Sequence, residues 1–115
     1  MDSVYTVAFK NGRFMMVYNR TTRKGWEMPG GRIEANETVE EAAEREYLEE
    51  SGYAVKVVHK EQMKGCWVCC GELLSKVSEG EMATEMFAEL PDDLSFPAEE
   101  YEGVIEWARG VMERN

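Results

Sequence analysis

The sequence predicts an α/β fold in which helices cover both faces of one mixed β-sheet, an α/β/α sandwich. Three observations predict it. The apolar segments follow the order strand, strand, helix, strand, strand, strand, helix. The last of these helices carries an apolar stripe that should close the second face of the sheet. The length of 115 residues, 43% of them hydrophobic, suits one domain around one core, which we expect to span residues 1–115.

The first two strands are predicted to form a β-hairpin. Ser3–Phe9 and Phe14–Tyr18 are rich in valine, tyrosine and phenylalanine, which are residue types enriched in strands. Lys10-Asn11-Gly12-Arg13 lies between them. Asn-Gly between two such segments is a strong signal for a tight hairpin turn.

A helix is predicted between Thr38 and Gly52. Thr38 and Glu41 have the spacing of a capping box, in which each side chain accepts a hydrogen bond from the backbone of the other. Gly52 suits the left-handed residue that ends many helices. The sequence therefore gives both ends of this element.

One side of this helix begins apolar and ends acidic. At about 100° per residue, a single arc holds Val39, Ala42, Ala43, Glu46, Glu49 and Glu50. Carboxylates on adjacent turns repel one another, and partial burial would return protons to some of them. A hard divalent cation such as Mg²⁺, which prefers oxygen ligands, would relieve the repulsion. The alternative from spacing alone is a solvated acidic face.

The spacing that begins at Gly31 resembles the Nudix box, G-x5-E-x7-R-E-U-x-E-E-x-G-U, in which U is a bulky apolar residue. The glycine, glutamate and arginine positions of that pattern are occupied here by Gly31, Glu37, Arg45, Glu46, Glu49, Glu50 and Gly52. Tyr47 and Tyr53 stand where the family usually has Ile, Leu or Val, and both are apolar enough to pack. The preceding residues, 26–30, also resemble the family's usual approach to the box.

The resemblance implies a Nudix-type sandwich fold and a Mg²⁺ or Mn²⁺ cofactor. It implies that three carboxylates and one backbone carbonyl ligate the metal, namely those of Glu46, Glu49, Glu50 and Gly31. It also implies that Glu37 pairs with Arg45 and so fastens the loop to the helix.

The resemblance leaves the catalytic base open, because family members differ in this residue. Glu46 or Glu50 could accept the proton of the attacking water. A further glutamate is often found near the strand that follows the box region, and Glu85 is a candidate for it, with Glu81 as the alternative.

A basic cluster leads into the glycine pair before the box. Within this cluster, Arg20 and Arg23 are predicted to contact substrate phosphates. Gly30 is predicted to lie close to the substrate, because glycine allows a close backbone approach, and Pro29-Gly30-Gly31 is predicted to be a turn. The alternatives are a solvated basic loop and a plain tight turn.

Ala54–Lys60 is predicted to be a strand in which Val55, Val57 and His59 share one face. His59 is the chain's one histidine. It has no nucleophile or metal partner at a useful spacing, so we expect a solvated strand residue.

Cys66–Leu74 is predicted to be a second apolar strand with three cysteines. Cys66-x-x-Cys69-Cys70 could be half of a zinc site, but such a site needs four ligands and the sequence has no second pair. Strand alternation places Cys66 and Cys70 on one face and Cys69 on the other. We therefore expect reduced core cysteines, which fit a reducing compartment.

The C-terminal third is predicted to end in a helix. Ser75–Glu81 should be a polar loop, and Met82–Leu90 a strand or a short helix. A helix should begin at about Pro97, with acidic residues in its first turn. Its apolar stripe consists of Tyr101, Val104, Ile105, Ala108, Val111 and Met112.

Charge and composition exclude several classes of protein. A formal net charge of −10 argues against a groove-tracking DNA or RNA binder, which needs a basic face. No stretch approaches the roughly 18 apolar residues of a membrane span, and residues 1–3 lack the pattern of a signal peptide. We expect a cytoplasmic protein that binds a small nucleotide, in an oligomeric state that the sequence does not give.

The resemblance implies a single Nudix hydrolase domain that cleaves a nucleoside diphosphate linked to another group. The family's ADP-ribose hydrolases are marked by a proline beyond the box. In this chain Val68 and its neighbours stand at that position, and none of them is proline. The tyrosine of dinucleoside polyphosphate hydrolases and the NADH-type signature are also missing. By elimination, a nucleoside triphosphate, including damaged or deoxy forms, is the leading substrate. The alternative is a nucleotide-sensing module that keeps the fold without turnover.

Overall fold

The computed structural model of the chain describes residues 2–114, so that Met1 and Asn115, the ends of the predicted domain, lie outside the described residues. Within this range the elements are β1 (Ser3–Lys10), β2 (Arg13–Asn19), β3 (Gly25–Glu27), β4 (Gly30–Arg32), α1 (Val39–Ser51), β5 (Tyr53–Met63), β6 (Cys66–Lys76), β7 (Ala83–Phe87) and α2 (Ala98–Arg114). This is the predicted order with two short strands inserted before α1.

The strands of residues 2–114 form one mixed sheet of seven strands. Its main path is β3-β2-β1-β6-β5, while β4 pairs with β1 and β7 pairs with β2. β1 and β6 are parallel, with Val4 opposite Trp67, and the other pairs are antiparallel. Because β1 is central, its residues reach both faces of the sheet and both helices.

The predicted hairpin between β1 and β2 is confirmed. Lys10 pairs with Arg13 at the end of the two strands. Between them, Asn11 and Gly12 have φ angles of 53° and 79°. A type I′ turn requires positive φ at both central residues, which is why Asn-Gly predicts it.

The two helices lie on opposite faces of the sheet, as the sandwich prediction requires. Val4 and Ala8 of β1 belong to the clusters that include Ala43 and Tyr47 of α1. Val7, which points the other way, belongs to the cluster that includes Ile105 of α2. Alternation along β1 thus divides the core into an α1 face and an α2 face.

Both predicted ends of α1 are confirmed. The Thr38 hydroxyl accepts a hydrogen bond from the Glu41 amide at 3.1 Å, and the Glu41 carboxylate accepts one from the Thr38 amide at 2.9 Å. Gly52 takes the left-handed conformation with φ of 82°. Side chains that bond to the helix ends satisfy donors that the helix itself leaves unpaired.

The predicted turn at Pro29-Gly30-Gly31 is wrong. Gly30 and Gly31 belong to β4, where Gly30 pairs with Tyr5 and Gly31 with Val4. A Cβ on Gly30 would lie 2.3 Å from the carbonyl oxygen of Val4. Glycine is therefore needed here for close packing of strands rather than for turn geometry.

The predicted grouping of Val57 and His59 on one face is also wrong. The register of β5 against β6 shifts between these two residues. Val57 packs on the α1 face, whereas the His59 ring lies 6.0 Å from the ring of Trp107 in α2. A β-bulge, which inserts one extra residue, reverses the alternation. His59 is exposed.

The C-terminal elements follow the prediction closely. Met82–Leu90 contains the strand β7 rather than a helix, and β6 extends to Lys76, two residues beyond its predicted end. The final helix begins directly after Pro97. The buried members of its predicted stripe are Tyr101, Ile105, Ala108 and Val111.

Candidate active site

Carboxylates from the last two turns of α1 lie against the short strand β4. The Gly30 amide donates a hydrogen bond to Glu50 Oε1 at 3.0 Å. A Cβ on Gly31 would collide with the carboxylate of Glu46, so a larger residue there would displace that carboxylate from its position. The glycine pair therefore lets α1 approach the strand and fixes the positions of Glu46 and Glu50.

Burial dominates the electrostatics of these two carboxylates. It raises the pKa of Glu50 to about 7, against a smaller lowering by the Gly30 amide, and the charges of Glu46, Glu27 and Glu81 add to the rise. Burial also raises the pKa of Glu46. Like charges in a partly dry site disfavour ionisation, and a cation would reverse this effect.

We call Glu27, Glu46, Glu50 and Glu81 the acidic cluster. Glu27 lies in β3, and its charge acts on Glu50. The Glu81 amide donates to the carbonyl of Glu49 at 3.0 Å, which holds the loop before β7 against the end of α1. In the sequence, Glu27 is recognisable only as one of the residues that lead into the box. Its place three residues before Gly30 is the signal that could have identified it.

Arg45 binds carboxylates on the other side of the same region. Its Nε and Nη2 donate to the two oxygens of Glu37 at 2.6 and 3.0 Å, a bidentate pair. Its Nη1 donates to Glu49 at 3.1 Å, and its Nη2 also reaches the carbonyl of Arg32 at 3.0 Å. The Arg45 side chain lowers the pKa of Glu37. The expected Glu37–Arg45 pair is therefore present, and it joins the loop to α1.

Arg45 contacts two of the three predicted metal-binding carboxylates. Its Nη1 donates to Glu49 at 3.1 Å and lies 3.5 Å from Glu46 Oε1, whereas Glu50 forms no ion pair with Arg45. Within residues 2–114, no three acidic, histidine or cysteine side chains are grouped closely enough to hold a metal ion. Helical spacing places Glu49 on the same arc, but it cannot show that a neighbouring arginine engages its carboxylate.

The donors of the acidic cluster nevertheless suit a hard cation. They are all carboxylate oxygens, the ligands that Mg²⁺ prefers while it retains several waters. Burial and mutual repulsion raise the pKa values of Glu46 and Glu50, and a divalent cation would remove the repulsive part. The chemistry of the donor set therefore fits Mg²⁺ or Mn²⁺.

Glu85, which was predicted to be a catalytic glutamate, lies on the α2 face of the sheet. It pairs with Met16 of β2, whose side chain packs on the α2 face. The next residue, Met86, packs on the α1 face. Strand alternation therefore directs Glu85 away from α1. Glu81, the alternative, is the residue whose charge acts on both Glu46 and Glu50.

The two arginines predicted to bind phosphate are exposed and lie over aromatic rings. The guanidinium carbon of Arg20 is 5.7 Å from the ring centre of Tyr18, and that of Arg23 is 4.4 Å from the ring centre of Phe96. Neither arginine forms an ion pair with the acidic residues of the described range. Both charges are therefore free to meet an anion.

A cavity of about 250 Å³ opens on the α2 face beside Phe96. Its lining includes Tyr5, Met28, Phe96, Glu100, Tyr101 and Val104. Tyr5 connects it to the acidic cluster: burial contributes most to the raised pKa of Tyr5, and the charges of Glu27 and Glu50 add to it. This cavity has no local signal in the sequence, because β1, β6 and α2 form it from distant parts of the chain.

The cysteines of β6 are free thiols, arranged as predicted. Cys69 packs on the α1 face and Cys70 on the α2 face, and both are buried. Burial raises the pKa of Cys69 to about 12 and that of Cys70 to about 11. Such thiols remain protonated near neutral pH and are poor nucleophiles.

The comparison with protein families matches this arrangement to a known domain. The model of the NUDIX domain matches residues 2–107, a range that contains the whole sheet, α1 and the acidic cluster. The chain belongs to the Nudix family. Its Nudix box therefore comprises the loop fastened by Arg45 and the carboxylates that lie against β4.

Two curated relatives of this Nudix chain have names that include an activity. A protein of Caenorhabditis elegans, provisionally named nudix hydrolase 1, is 38% identical over 84 residues, which are 71% of this chain and 22% of that protein. A protein of Bacillus subtilis (strain 168), provisionally named 8-oxo-dGTP diphosphatase, is 43% identical over 52 residues, 45% of this chain and 35% of that protein. The chain thus matches about a fifth to a third of the length of these relatives.

Solved structures share the fold of this Nudix chain at low sequence identity. The crystal structure of an ADP-ribose pyrophosphatase from Streptococcus suis has a TM-score of 0.73 and 19% identity, over 93% of this chain and 90% of that one. That of a UDP-X diphosphatase has a TM-score of 0.76 and 20% identity, over 96% and 63%. These likenesses establish the sandwich fold. No helix within residues 2–114 is both long and apolar enough to span a membrane.

Proposed function

We propose that this Nudix chain hydrolyses a pyrophosphate bond in a nucleoside diphosphate linked to another group, and that its substrate is a nucleoside triphosphate. The observation that carries the proposal is the position of Glu46 and Glu50 against β4, a strand that pairs with Tyr5 at the wall of an aromatic cavity. Phosphoryl chemistry depends on charge neutralisation and positioning, and a nucleobase needs an apolar, partly enclosed pocket. Tyr5 lies between these two environments.

Mg²⁺ or Mn²⁺ is the cofactor in this proposal. Glu46, Glu49 and Glu50 would hold it together with the carbonyl of Gly31. When bound, the cation supplies neutralisation of phosphate charge and lowers the pKa of a coordinated water. Arg45 has two hydrogen bonds to Glu37, so the loop remains attached to α1 without the contribution of Glu49.

Glu50 is the residue that we assign to accept the proton of the attacking water. Its Oε1 is fixed by the Gly30 amide, and its Oε2 makes no hydrogen bond to the described residues. A carboxylate that is fixed by one oxygen and free at the other is placed to accept a proton from a neighbouring water. Glu46, held beside Gly31, and Glu81 add negative charge that favours the same proton transfer.

The substrate would lie across the cavity and the acidic cluster. We propose that the base enters the cavity, and that Arg20 and Arg23 contact phosphates, with Arg23 beside Phe96 at the cavity. The Gly30 amide is occupied by Glu50, so Gly30 would serve the substrate by positioning that carboxylate. The name of the Bacillus subtilis relative supports a nucleoside triphosphate as the substrate of this chain, including oxidised deoxynucleoside triphosphates.

We also propose that residues 1–115 act as one Nudix hydrolase domain in the cytoplasm. The family match over residues 2–107 supports a single domain. The free thiols of β6 support a reducing compartment. The net charge of −10 supports a small-molecule substrate rather than a nucleic acid.

A hydrolysis screen tests the proposed function. The purified chain is incubated with Mg²⁺ or Mn²⁺ and with normal and oxidised nucleoside triphosphates or nucleoside diphosphate sugars, and the products are separated by chromatography. We expect hydrolysis of a triphosphate that is stopped by chelation and by Glu46→Gln, while Glu113→Gln, at an exposed position near the end of α2, serves as the matched control. A folded chain that binds nucleotides but forms no product with either metal would instead be the nucleotide-sensing module.

A further inference from the structure

A second cavity lies on the α1 face, at the end of the sheet where the β1–β2 hairpin turns. Its volume is about 570 Å³, which is ample for a small ligand. Its apolar wall is part of the core cluster around Tyr47 of α1 and consists of Met15, Tyr53, Leu73 and Met86. None of the described residues that line it belongs to the acidic cluster or to the cavity beside Phe96. It is therefore separate from the candidate active site.

Lys10 and Arg13 form the charged side of this cavity. They lie directly opposite each other in the β1–β2 ladder, and opposite residues in an antiparallel pair project from the same face. Lys10 is two residues beyond Ala8, and Arg13 is two residues before Met15, both of which pack on the α1 face. Strand alternation therefore directs both cations to the face on which the cavity opens.

The positive charges of Lys10 and Arg13 are not neutralised within the protein. Neither residue forms an ion pair within the described range, 2–114, whereas Lys60 of β5 binds Glu40 at 2.9 Å. Like charges at directly opposite ladder positions destabilise a strand pair. The hairpin thus keeps an unfavourable pair of cations beside an open cavity, and an anion bound there would remove the repulsion.

The turn that carries the two cations is held in place from the opposite face of the sheet. Asn11 and Gly12 have the positive φ angles of a type I′ turn. The Gly12 carbonyl accepts a hydrogen bond from Arg109 Nη1 of α2 at 2.8 Å. A site whose backbone is fixed in advance loses less conformational freedom when a ligand binds. The Asn11 side chain also lines the cavity and adds an amide that can donate to an anion.

We propose that this cavity is a second ligand-binding site, which takes a small phosphate monoester with an aromatic group. A phosphate monoester carries nearly two negative charges at neutral pH and so matches the two cations, whereas a carboxylate would neutralise only one. The fork of Arg13 can bind two phosphate oxygens, and Lys10 adds a point charge. The aromatic group would lie against Tyr53, Met15 and Met86, because aromatic and thioether side chains make favourable contacts with rings.

Titration of the metal-free full chain with phenyl phosphate, followed by ¹H–¹⁵N NMR spectroscopy, tests the site. We expect phenyl phosphate to bind about tenfold or more tightly than either inorganic phosphate, which lacks the ring, or phenol, which lacks the charge. The resonances that shift and saturate should be those of Lys10, Asn11, Arg13 and Tyr53.

Lys10→Gln and Arg13→Gln should each weaken phenyl phosphate binding by about three- to tenfold, because each removes one charge and leaves the apolar wall intact. Without phosphate, both variants should unfold at the same temperature as the wild type or at a higher one, since each removes the contact between like charges. Lys56→Gln is the matched control, because Lys56 is exposed, forms no ion pair in residues 2–114 and does not line this cavity. It should keep the wild-type affinity.

No saturable binding, shifts spread over the whole surface, or an affinity that Lys10→Gln and Arg13→Gln both leave unchanged would overturn the inference. An equal loss of affinity in Lys56→Gln would also overturn it, because the effect would then come from net charge. Loss of binding in Arg23→Gln alone would place the phosphate beside Phe96, at the candidate active site. The titration contains no metal and measures no product, so the proposed hydrolysis is tested independently of it.

Discussion

Glu37 and Glu50 are two carboxylates of the same Nudix box in opposite environments. Glu37 receives two hydrogen bonds from Arg45, which lowers its pKa. Glu50 receives one hydrogen bond, from the Gly30 amide, and burial raises its pKa to about 7. One carboxylate is neutralised by a side chain, and the other is buried among like charges.

This difference separates the scaffold of the box from its chemistry. Arg45 joins the loop to the helix through Glu37 and does not form a hydrogen bond to Glu50. Arg45 Nη1 lies 3.5 Å from Glu46 Oε1 and offsets part of the charge of the acidic cluster, whereas Glu50 has no ion-pair partner among the described residues. Functional sites commonly keep such unfavourable charge, because a ligand or metal completes the site.

Glu50→Gln should give the largest effect on turnover, because it removes the carboxylate that we assign to the chemistry of the box. Glutamine retains an acceptor for the Gly30 amide but can neither take a proton from water nor bind a cation as a carboxylate does. We expect turnover with Mg²⁺ to fall by about 10²- to 10⁴-fold, with an unchanged circular dichroism spectrum. Turnover close to that of the wild type would exclude Glu50 as the base.

The pH dependence of stability should be opposite at the two carboxylates. Because the pKa of Glu50 rises from 4.5 to about 7 on folding, the metal-free protein binds a proton more tightly than the unfolded chain. Its contribution to stability is present below pH 4.5 and is lost as the pH rises through about 7. After allowance for solvent screening, we expect a loss of about 1–2 kcal/mol.

Denaturant unfolding of the wild type and Glu50→Gln across this range measures the effect. The variant should not lose this stability at neutral pH, because its side chain stays uncharged. Parallel pH profiles for the two proteins would show that the surroundings of Glu50 do not raise its pKa.

Disruption of the Glu37–Arg45 pair should give a smaller effect on stability. Glu37→Gln and Arg45→Ala should each lower the thermal unfolding midpoint, and the double variant should lose less than the sum of the two. Because the pKa of Glu37 is lowered, its contribution is present above 4.5 and disappears as the pH falls through the folded value. Glu34→Gln is the control, since Glu34 lies 3.8 Å from Arg45 and is 65% exposed. Strict additivity would show that the pair is not coupled in solution.

The smallest effect is expected at Glu85. Its side chain lies on the α2 face, away from the acidic cluster, so Glu85→Gln should change turnover by about twofold or less. Glu81→Gln should change turnover or its Mg²⁺ dependence more, because Glu81 acts on both Glu46 and Glu50. Initial rates over a series of Mg²⁺ concentrations distinguish the two variants. The reverse order of effects would place the additional glutamate on β7.

Local signals in the sequence predicted the elements that depend on local interactions. The capping box at Thr38, the left-handed Gly52 and the Asn-Gly hairpin are each set by a few adjacent residues. The Glu37–Arg45 pair was expected from the spacing of a family motif, in which Glu37 lies just before α1 and Arg45 in the middle of that helix. The caps and the turn are thus predictable from adjacent residues, and the ion pair is predictable from the spacing of the motif.

Features that depend on contacts between distant segments were missed. The strand at Gly30 exists because β1 pairs with it, and the face of His59 depends on a bulge in the ladder with β6. The membership of Glu27 in the acidic cluster and the cavity beside Tyr5 depend on how strands and α2 assemble. Periodicity in a single sequence cannot give strand register or long-range pairing.

The loop between β6 and β7 shows where this protein would accept an inserted sequence. The amides of Val77 and Ser78 donate to the carbonyl of Gly52, and those of Glu81 and Met82 donate to the last turn of α1. Both ends of the loop are thus attached to the helix terminus, and between them the side chain of Glu79 is 91% exposed. A peptide tag or fluorophore inserted at Glu79 should leave the fold intact while it reports on the end of the helix that carries the acidic cluster.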